Sequence, residues 1–146
     1  LEFLATLGAD DQDRVLVHDA ARPAVSPPAI ARLIADVHDS PSGGLLALPV
    51  ADTLKREECG CSAETVDRGG LWAAQTPQLY PLGTLRGVLR DACARGVAPT
   101  DEAAAMEGRG MRPRLVPGEP TNVKLTRRED RELLEAVLAA REGAAR

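Results

Sequence analysis

The run RVLVHDAARPAVSPPAIARLIADVHDSPSGGLLALPV, from Arg14 to Val50, decides the fold. Arg14 to His18 is a short β-branched apolar stretch ended by Asp19, the pattern of a strand buried on both faces. Ser26 is a side-chain acceptor placed to cap a helix whose first positions tolerate Pro27 and Pro28. Ile30, Leu33, Ile34 and Val37 then recur with helical spacing, so one face of that helix is apolar. Gly43-Gly44 turns the chain into a second apolar run, Leu45 to Val50. Strand, helix and strand in this order predict a βαβ unit and a parallel sheet, hence an α/β fold.

Outward from this unit the pattern continues. Leu1 to Leu7 reads as the end of a helix already under way, and the initial residue is not Met, so a preceding segment is expected. Between Ala51 and Thr76 apolar surface is scarce, and two short β-like pieces flank a polar turn from Glu57 to Glu64, which predicts a hairpin leaving the domain body. Leu82, Leu85, Leu89 and Ala92 mark a helix running to about Arg95 and stopped by Gly96. Thr100 opens a shorter helix with Asp101 and Glu102 in its first turn, where the helix dipole favours carboxylates. Arg114 to Val116 and Asn122 to Leu125 are expected strands, and Thr126 with Glu129 forms a capping box for a last helix carrying Leu133, Leu134, Val137 and Leu138.

Composition narrows the function classes. A chain of 146 residues, 44% hydrophobic, has enough apolar material for one core and contains no apolar run of membrane-spanning length. Its formal charge is −4 and its aromatics are Phe3, Trp72 and Tyr80, so neither a basic phosphate-tracking surface nor a base-stacking platform is expected, and nucleic acid and membrane are not expected partners. Cys59, Cys61 and Cys93 match neither a zinc spacing nor a disulfide framework and read as reduced thiols of a cytoplasmic protein. Trp72 is expected to pack the hairpin, and His18 to be a hydrogen-bonded histidine without direct chemistry.

Asp19, Arg22 and Pro23 follow the C-terminal end of the first strand, where open α/β sheets place ligands. An Asp there suits Mg²⁺ that keeps much of its water and bridges phosphates, and an Arg three residues on can fork onto phosphate oxygens. The same Asp can equally cap the following turn and pair with Arg22. Lysine occurs only at Lys55 and Lys124 against sixteen arginines, so each lysine draws attention.

VLVHDAARP at Val15 to Pro23, GGLLALPVADTLK at Gly43 to Lys55, VDRGGLWAAQTPQLY at Val66 to Tyr80, TDEAAAMEGRG at Thr100 to Gly110 and LVPGEPTNVKLTRRED at Leu115 to Asp130 stand in one collinear order. In that order and spacing they resemble the methylerythritol-phosphate cytidylyltransferases. The resemblance implies a Rossmann-like, glycosyltransferase-A-like nucleotidyltransferase sheet with a protruding β-arm. It implies Mg²⁺ as cofactor, CTP and 2-C-methyl-D-erythritol 4-phosphate as substrates, and a homodimer. Residue by residue it implies catalytic roles for Asp19, Arg68 and Lys124, with Asp19 also near the metal, and substrate contacts at Ala20, Arg22, Thr53, Thr76 and Thr100. Thr53 and Arg68, on an arm at about residues 51–76, are expected to reach a neighbouring subunit's site.

The resemblance also implies a glycine-rich basic loop after a first strand, gripping the CTP triphosphate. Gly43-Gly44 and Gly69-Gly70 are isolated pairs without the basic residues such a loop needs. Residues 1–146 are therefore expected to be the C-terminal part of a single cytidylyltransferase domain, inactive by themselves. A ribitol-phosphate cytidylyltransferase and a non-catalytic dimerisation fragment are the competing readings.

Overall fold

The computed structural model describes residues 1–144. Its body is a four-stranded sheet in the order β1-β5-β2-β6, with β1 at Arg14–Val17, β2 at Gly44–Pro49, β5 at Trp72–Pro81 and β6 at Arg114–Pro117. Two further strands, β3 (Leu54–Glu58) and β4 (Cys61–Val66), form a separate antiparallel arm. Helices are α1 (Glu2–Thr6), α2 (Pro27–Val37), α3 (Leu82–Ala94), α4 (Glu102–Glu107) and α5 (Asp130–Ala144). No described helix is long and apolar enough to cross a membrane.

The α/β reading holds, but the sheet is mixed. β1 and β2 run the same way without touching, because β5 lies between them antiparallel to both, and only β2 and β6 pair in parallel. The sequence reading missed β5 because Gln75, Pro77 and Gln78 interrupt its apolar rhythm and a proline argues against a central strand. The ladder resolves the conflict. Leu45 pairs with Gln78 and Ala47 with Ala74, so Gln75, Thr76 and Pro77 bulge opposite the single residue Leu46. Pro77 thus sits where the register already shifts and its missing N–H costs little.

Successive residues of β5 point to opposite faces and build the two halves of the core. Leu79 joins Leu46, Val116 and the α2 residues Ala29, Leu33 and Val37 on one face. Tyr80 joins Leu85 and Val88 of α3 and Ala105 and Met106 of α4 on the other. Burial pushes the Tyr80 phenol far above its ordinary pKa, so it stays neutral and donates to Gln78 Oε1 at 2.7 Å. β1 is not buried on both faces as expected. Val15 and Val17 pack against the second cluster, but Leu16 points beyond the reach of α2 and is 37% exposed at the sheet edge.

Local signals fare unevenly. Ser26 caps α2 by accepting from Ala29 N–H at 3.1 Å, and Gly96 at φ +66 follows the α3 terminus, both as read. The cap of α4 is Asp101, not Thr100, since the Asp101 carboxylate accepts from Ala104 N–H at 2.8 Å. The Thr126–Glu129 capping box does not form. Asp130 Oδ2 instead accepts from Thr126 N–H, Thr126 Oγ1 and Arg127 N–H, each at 2.8 Å, and these bonds hold its pKa below the ordinary carboxylate value. Asn122 to Leu125 is not a strand but an irregular segment.

The arm is a longer hairpin than its polar composition suggested. Glu57 and Glu64 lie within the strands, and the turn is Cys59-Gly60, both at positive φ, as a two-residue hairpin turn demands. Its pairs are polar: Arg56 Nε meets Glu64 at 2.5 Å and Lys55 Nζ donates to Thr65 Oγ1 at 2.6 Å. Trp72, paired with Pro49 and 37% exposed, begins β5.

Candidate functional site

The β5 bulge and the end of β1 create the site. β1 stops pairing at Val17 opposite Gln78, so His18 and Asp19 run past the ladder toward Thr76. Asp19 N–H donates to Thr76 Oγ1 at 3.0 Å. His18 Nε2 faces the Arg22 carbonyl at 3.0 Å, which only accepts, so Nε2 carries the proton. Nδ1 is then free to accept the Thr76 hydroxyl proton at 3.1 Å. His18 is the hydrogen-bonded histidine expected from the sequence, and its work is to fix Thr76 and the turn after β1.

That turn presents one carboxylate and two cations. Asp19 Oδ1 accepts from Ala21 N–H at 2.9 Å, and Asp19 Oδ2 lies 2.6 Å from Lys124 Nζ. The Lys124 bond first, then the Ala21 N–H, hold the Asp19 pKa below the ordinary carboxylate value. Arg22 donates through Nη1 to the Asn122 carbonyl at 2.6 Å, and Arg22 N–H donates to the Asp19 carbonyl at 2.9 Å. Burial lowers the Arg22 pKa while Asp19 opposes that shift, and a guanidinium stays protonated at neutral pH. Lys124 belongs to the irregular segment, held because Leu125 N–H donates to the Ala21 carbonyl at 2.8 Å.

Asp19, Arg22, Thr76 and Lys124 are therefore one bonded cluster, with Ala20 exposed at its rim. Thr100 is exposed beside Asp101, which takes a hydrogen bond from Gln78 Nε2 at 3.0 Å and so ties the start of α4 to β5. Thr53 and Arg68 are not brought to the cluster; both are exposed on the segments joining the arm to the sheet. Sequence reasoning missed the buried polar residues that support the cluster: Gln75, Gln78 and Asn122. Their signal was present as amides inside apolar strings, but one polar residue in such a string does not reveal its partners.

The donor set fits one kind of metal site. Among the described residues no group of three or more His, Cys, Asp or Glu could hold an ion. Asp19 offers one carboxylate already shared with Lys124, which suits Mg²⁺ carried mainly by phosphate and water and no ion that needs a protein cage. A cavity of about 530 Å³, lined by Asp11, Arg14, Asp39 and Thr84 among others, lies toward the opposite end of β1. The charged groups converge at the Asp19 end, on an open surface suited to phosphates, and we place the site there.

The sheet order, the strand-end carboxylate and the flanking cations describe a Rossmann-like α/β domain with an anion-suited strand end. A solved 4-diphosphocytidyl-2C-methyl-D-erythritol synthase matches with a TM-score of 0.86 at 47% identity, covering 94% of this chain and 61% of that one. The Francisella tularensis 2-C-methyl-D-erythritol 4-phosphate cytidylyltransferase matches with a TM-score of 0.82 at 35% identity, over 88% of this chain and 60% of that one. Residues 2–140 match the family model of IspD, 2-C-methyl-D-erythritol 4-phosphate cytidylyltransferase, and the chain belongs to that family. Relatives of that name from Acidithiobacillus ferrooxidans and Ralstonia nicotianae are 54% and 53% identical, covering 97% and 95% of this chain but 60% and 56% of their own length. The chain thus spans about 60% of the length of the curated relatives it matches.

Proposed function

We propose that this chain carries the acceptor half of a cytidylyl transfer from CTP to 2-C-methyl-D-erythritol 4-phosphate. The observation that supports this most is the Asp19, Arg22 and Lys124 cluster at a strand end, in a chain of this family. A phosphate oxygen of the acceptor attacks the α-phosphorus of CTP, the bond from that phosphorus to the bridging oxygen breaks, and pyrophosphate leaves. The product is 4-diphosphocytidyl-2-C-methyl-D-erythritol, in the non-mevalonate route to isoprenoid precursors. Lys124 and Arg22 draw the acceptor phosphate in and offset its charge against the incoming triphosphate. Thr76 and Thr100 lend hydroxyls, and Ala20 leaves room at the rim. Mg²⁺ bound at Asp19 would neutralise phosphate charge during the transfer.

The described glycine pairs do other work than gripping phosphate. Gly43 and Gly44 are packed against β5, α2 and β6, and Gly70 sits at φ +76 in a turn at the base of the arm. Calorimetry of the 146-residue chain is therefore expected to show binding of methylerythritol phosphate and no measurable binding of CTP. CTP binding with the acceptor ignored would overturn the assignment, and binding of neither would favour a non-catalytic fragment. Ribitol 5-phosphate in the same experiment is expected to bind more weakly.

The arm supports the second part of the reading. Its strands are almost wholly exposed and pair only with each other, so among the described residues none outside the arm pairs with them. We place the protein in the cytoplasm as a symmetric homodimer in which each arm crosses to the other copy and delivers Thr53 and Arg68 to its acceptor site. Light scattering at micromolar concentration is expected to give a dimer, and deletion of residues 55–65 a monomer. A monomer before deletion would sink the shared site.

A further inference from the structure

We propose that Asn122 is a positioning residue that sets Lys124 in its working place beside Asp19. The proposal rests on the acceptor-site reading above, and no contact between Asn122 and a ligand is implied.

Asn122 is fully buried, two residues before Lys124, in a segment that has no strand or helix of its own. An irregular segment has no ladder to fix it, so its place depends on individual bonds. Asn122 makes them in three directions. Its Nδ2 donates to the Thr76 carbonyl at 2.8 Å and, more weakly, to Gln75 Oε1 at 3.4 Å, which fastens the segment to the β5 bulge. Its own carbonyl accepts from Arg22 Nη1 at 2.6 Å. Its N–H donates to the Glu119 carbonyl at 3.0 Å, and Gln75 also bonds Glu119. Downstream of Lys124, Leu125 N–H on the Ala21 carbonyl closes the other side. Lys124 is thus held between two stitches, one of which also holds Arg22.

Two atoms sharpen the point. Among the described residues, the buried side-chain nitrogens and oxygens without a partner are Arg22 Nε and Asn122 Oδ1, one a donor and the other an acceptor, on the two residues joined by the Nη1 bond. A fully buried amide with an idle oxygen is a poor choice for packing alone, because an apolar residue of similar size would carry no unpaired oxygen of its own. The donor end of the amide is what the position uses, and by fastening the segment to the β5 bulge it holds Lys124 beside Asp19.

The test is a double-mutant cycle read by binding of methylerythritol phosphate to the 146-residue chain. Asn122→Leu keeps the approximate size and loses the donor without adding a charge near the phosphate. In the wild-type background it is expected to weaken binding roughly tenfold, the scale of one lost hydrogen bond to a working group. In the Lys124→Ala background the same change is expected to cost less than about twofold, because the group it positions is gone. An equal loss in both backgrounds, or none in either, overturns the proposal, since a packing role would act regardless of Lys124. Unchanged binding by Lys124→Ala itself would instead overturn the acceptor-site reading and the proposal with it. Should Asn122→Leu unfold, Asn122→Ala runs the same cycle under the same criteria.

Discussion

Lys124→Ala is expected to weaken binding of the acceptor phosphate by about 1.5–3 kcal/mol, roughly tenfold to a hundredfold, with the fold intact. The side chain is about half exposed, at 47%, and contributes to no core cluster, so its removal leaves packing unchanged. What goes is a charge-assisted contact to phosphate and the partner of Asp19. Lys124→Arg is expected to recover only part of the affinity, because a planar fork does not reproduce an ammonium point charge 2.6 Å from Asp19. The same variant has a pH signature. With its pKa held low, chiefly by Lys124, Asp19 contributes stability that is present above its unfolded value and lost as pH falls through the lowered folded value. Without Lys124 the folded value rises toward the ordinary 3.8, so the contribution shrinks and its loss is complete at a higher pH. Titration of the Asp19 carboxyl by NMR in both proteins checks the direction; an unchanged midpoint would show that the ion pair does not persist in solution.

The largest stability effect is expected at Gly43. The residue sits at φ +62, and a methyl group added there would fall well inside van der Waals contact with the Leu79 carbonyl oxygen and the Tyr80 ring. Both belong to central β5, so neither can move aside without shifting the ladder or the core. Strain in the left-handed region and overpacking together place Gly43→Ala at about 3–5 kcal/mol, a fall in Tm of about 10 °C or more. Gly87 is the contrast. It lies inside α3 with open space where a methyl group would go, so Gly87→Ala is expected to stabilise by about 0.5–1 kcal/mol. Thermal unfolding followed by circular dichroism separates the two, and equal effects would show that the Gly43 turn is not as closely packed as described.

The elements that carried one unbroken physical signal were legible in the sequence. The α2 cap at Ser26 and the turn at Gly43-Gly44 each speak with one voice and the structure follows them, while of the rhythm after Ser26 Leu33 and Val37 are buried with Ala29 and Ile34 is 44% exposed. β5 was not legible because its message is mixed: the bulge that shapes the site also inserts amides and a proline into what would otherwise read as a central strand. The parallel sheet inferred from β1, α2 and β2 failed for the same reason, since local order cannot tell whether a later strand will slip between two earlier ones. Asp19, Arg22 and Lys124 were found through their positions in matched strings, and the structure brings them together. Asn122 was read as the start of a strand, because its use depends on partners 46 and 100 residues away in sequence.

The β5 bulge also sets what this fold can tolerate. Along an ordinary strand one inserted or deleted residue turns every later side chain to the wrong face. Gln75 to Pro77 stand outside that rhythm, three residues facing one, with regular pairing restored on either side. A change of length confined to this interval can be absorbed where it arises, leaving Leu79 and Tyr80 in their separate cores and Trp72 against Pro49. A change of length in the site wall that holds Thr76 thus costs the site its bonds to His18, Asp19 and Asn122 and not the register of the frame around it.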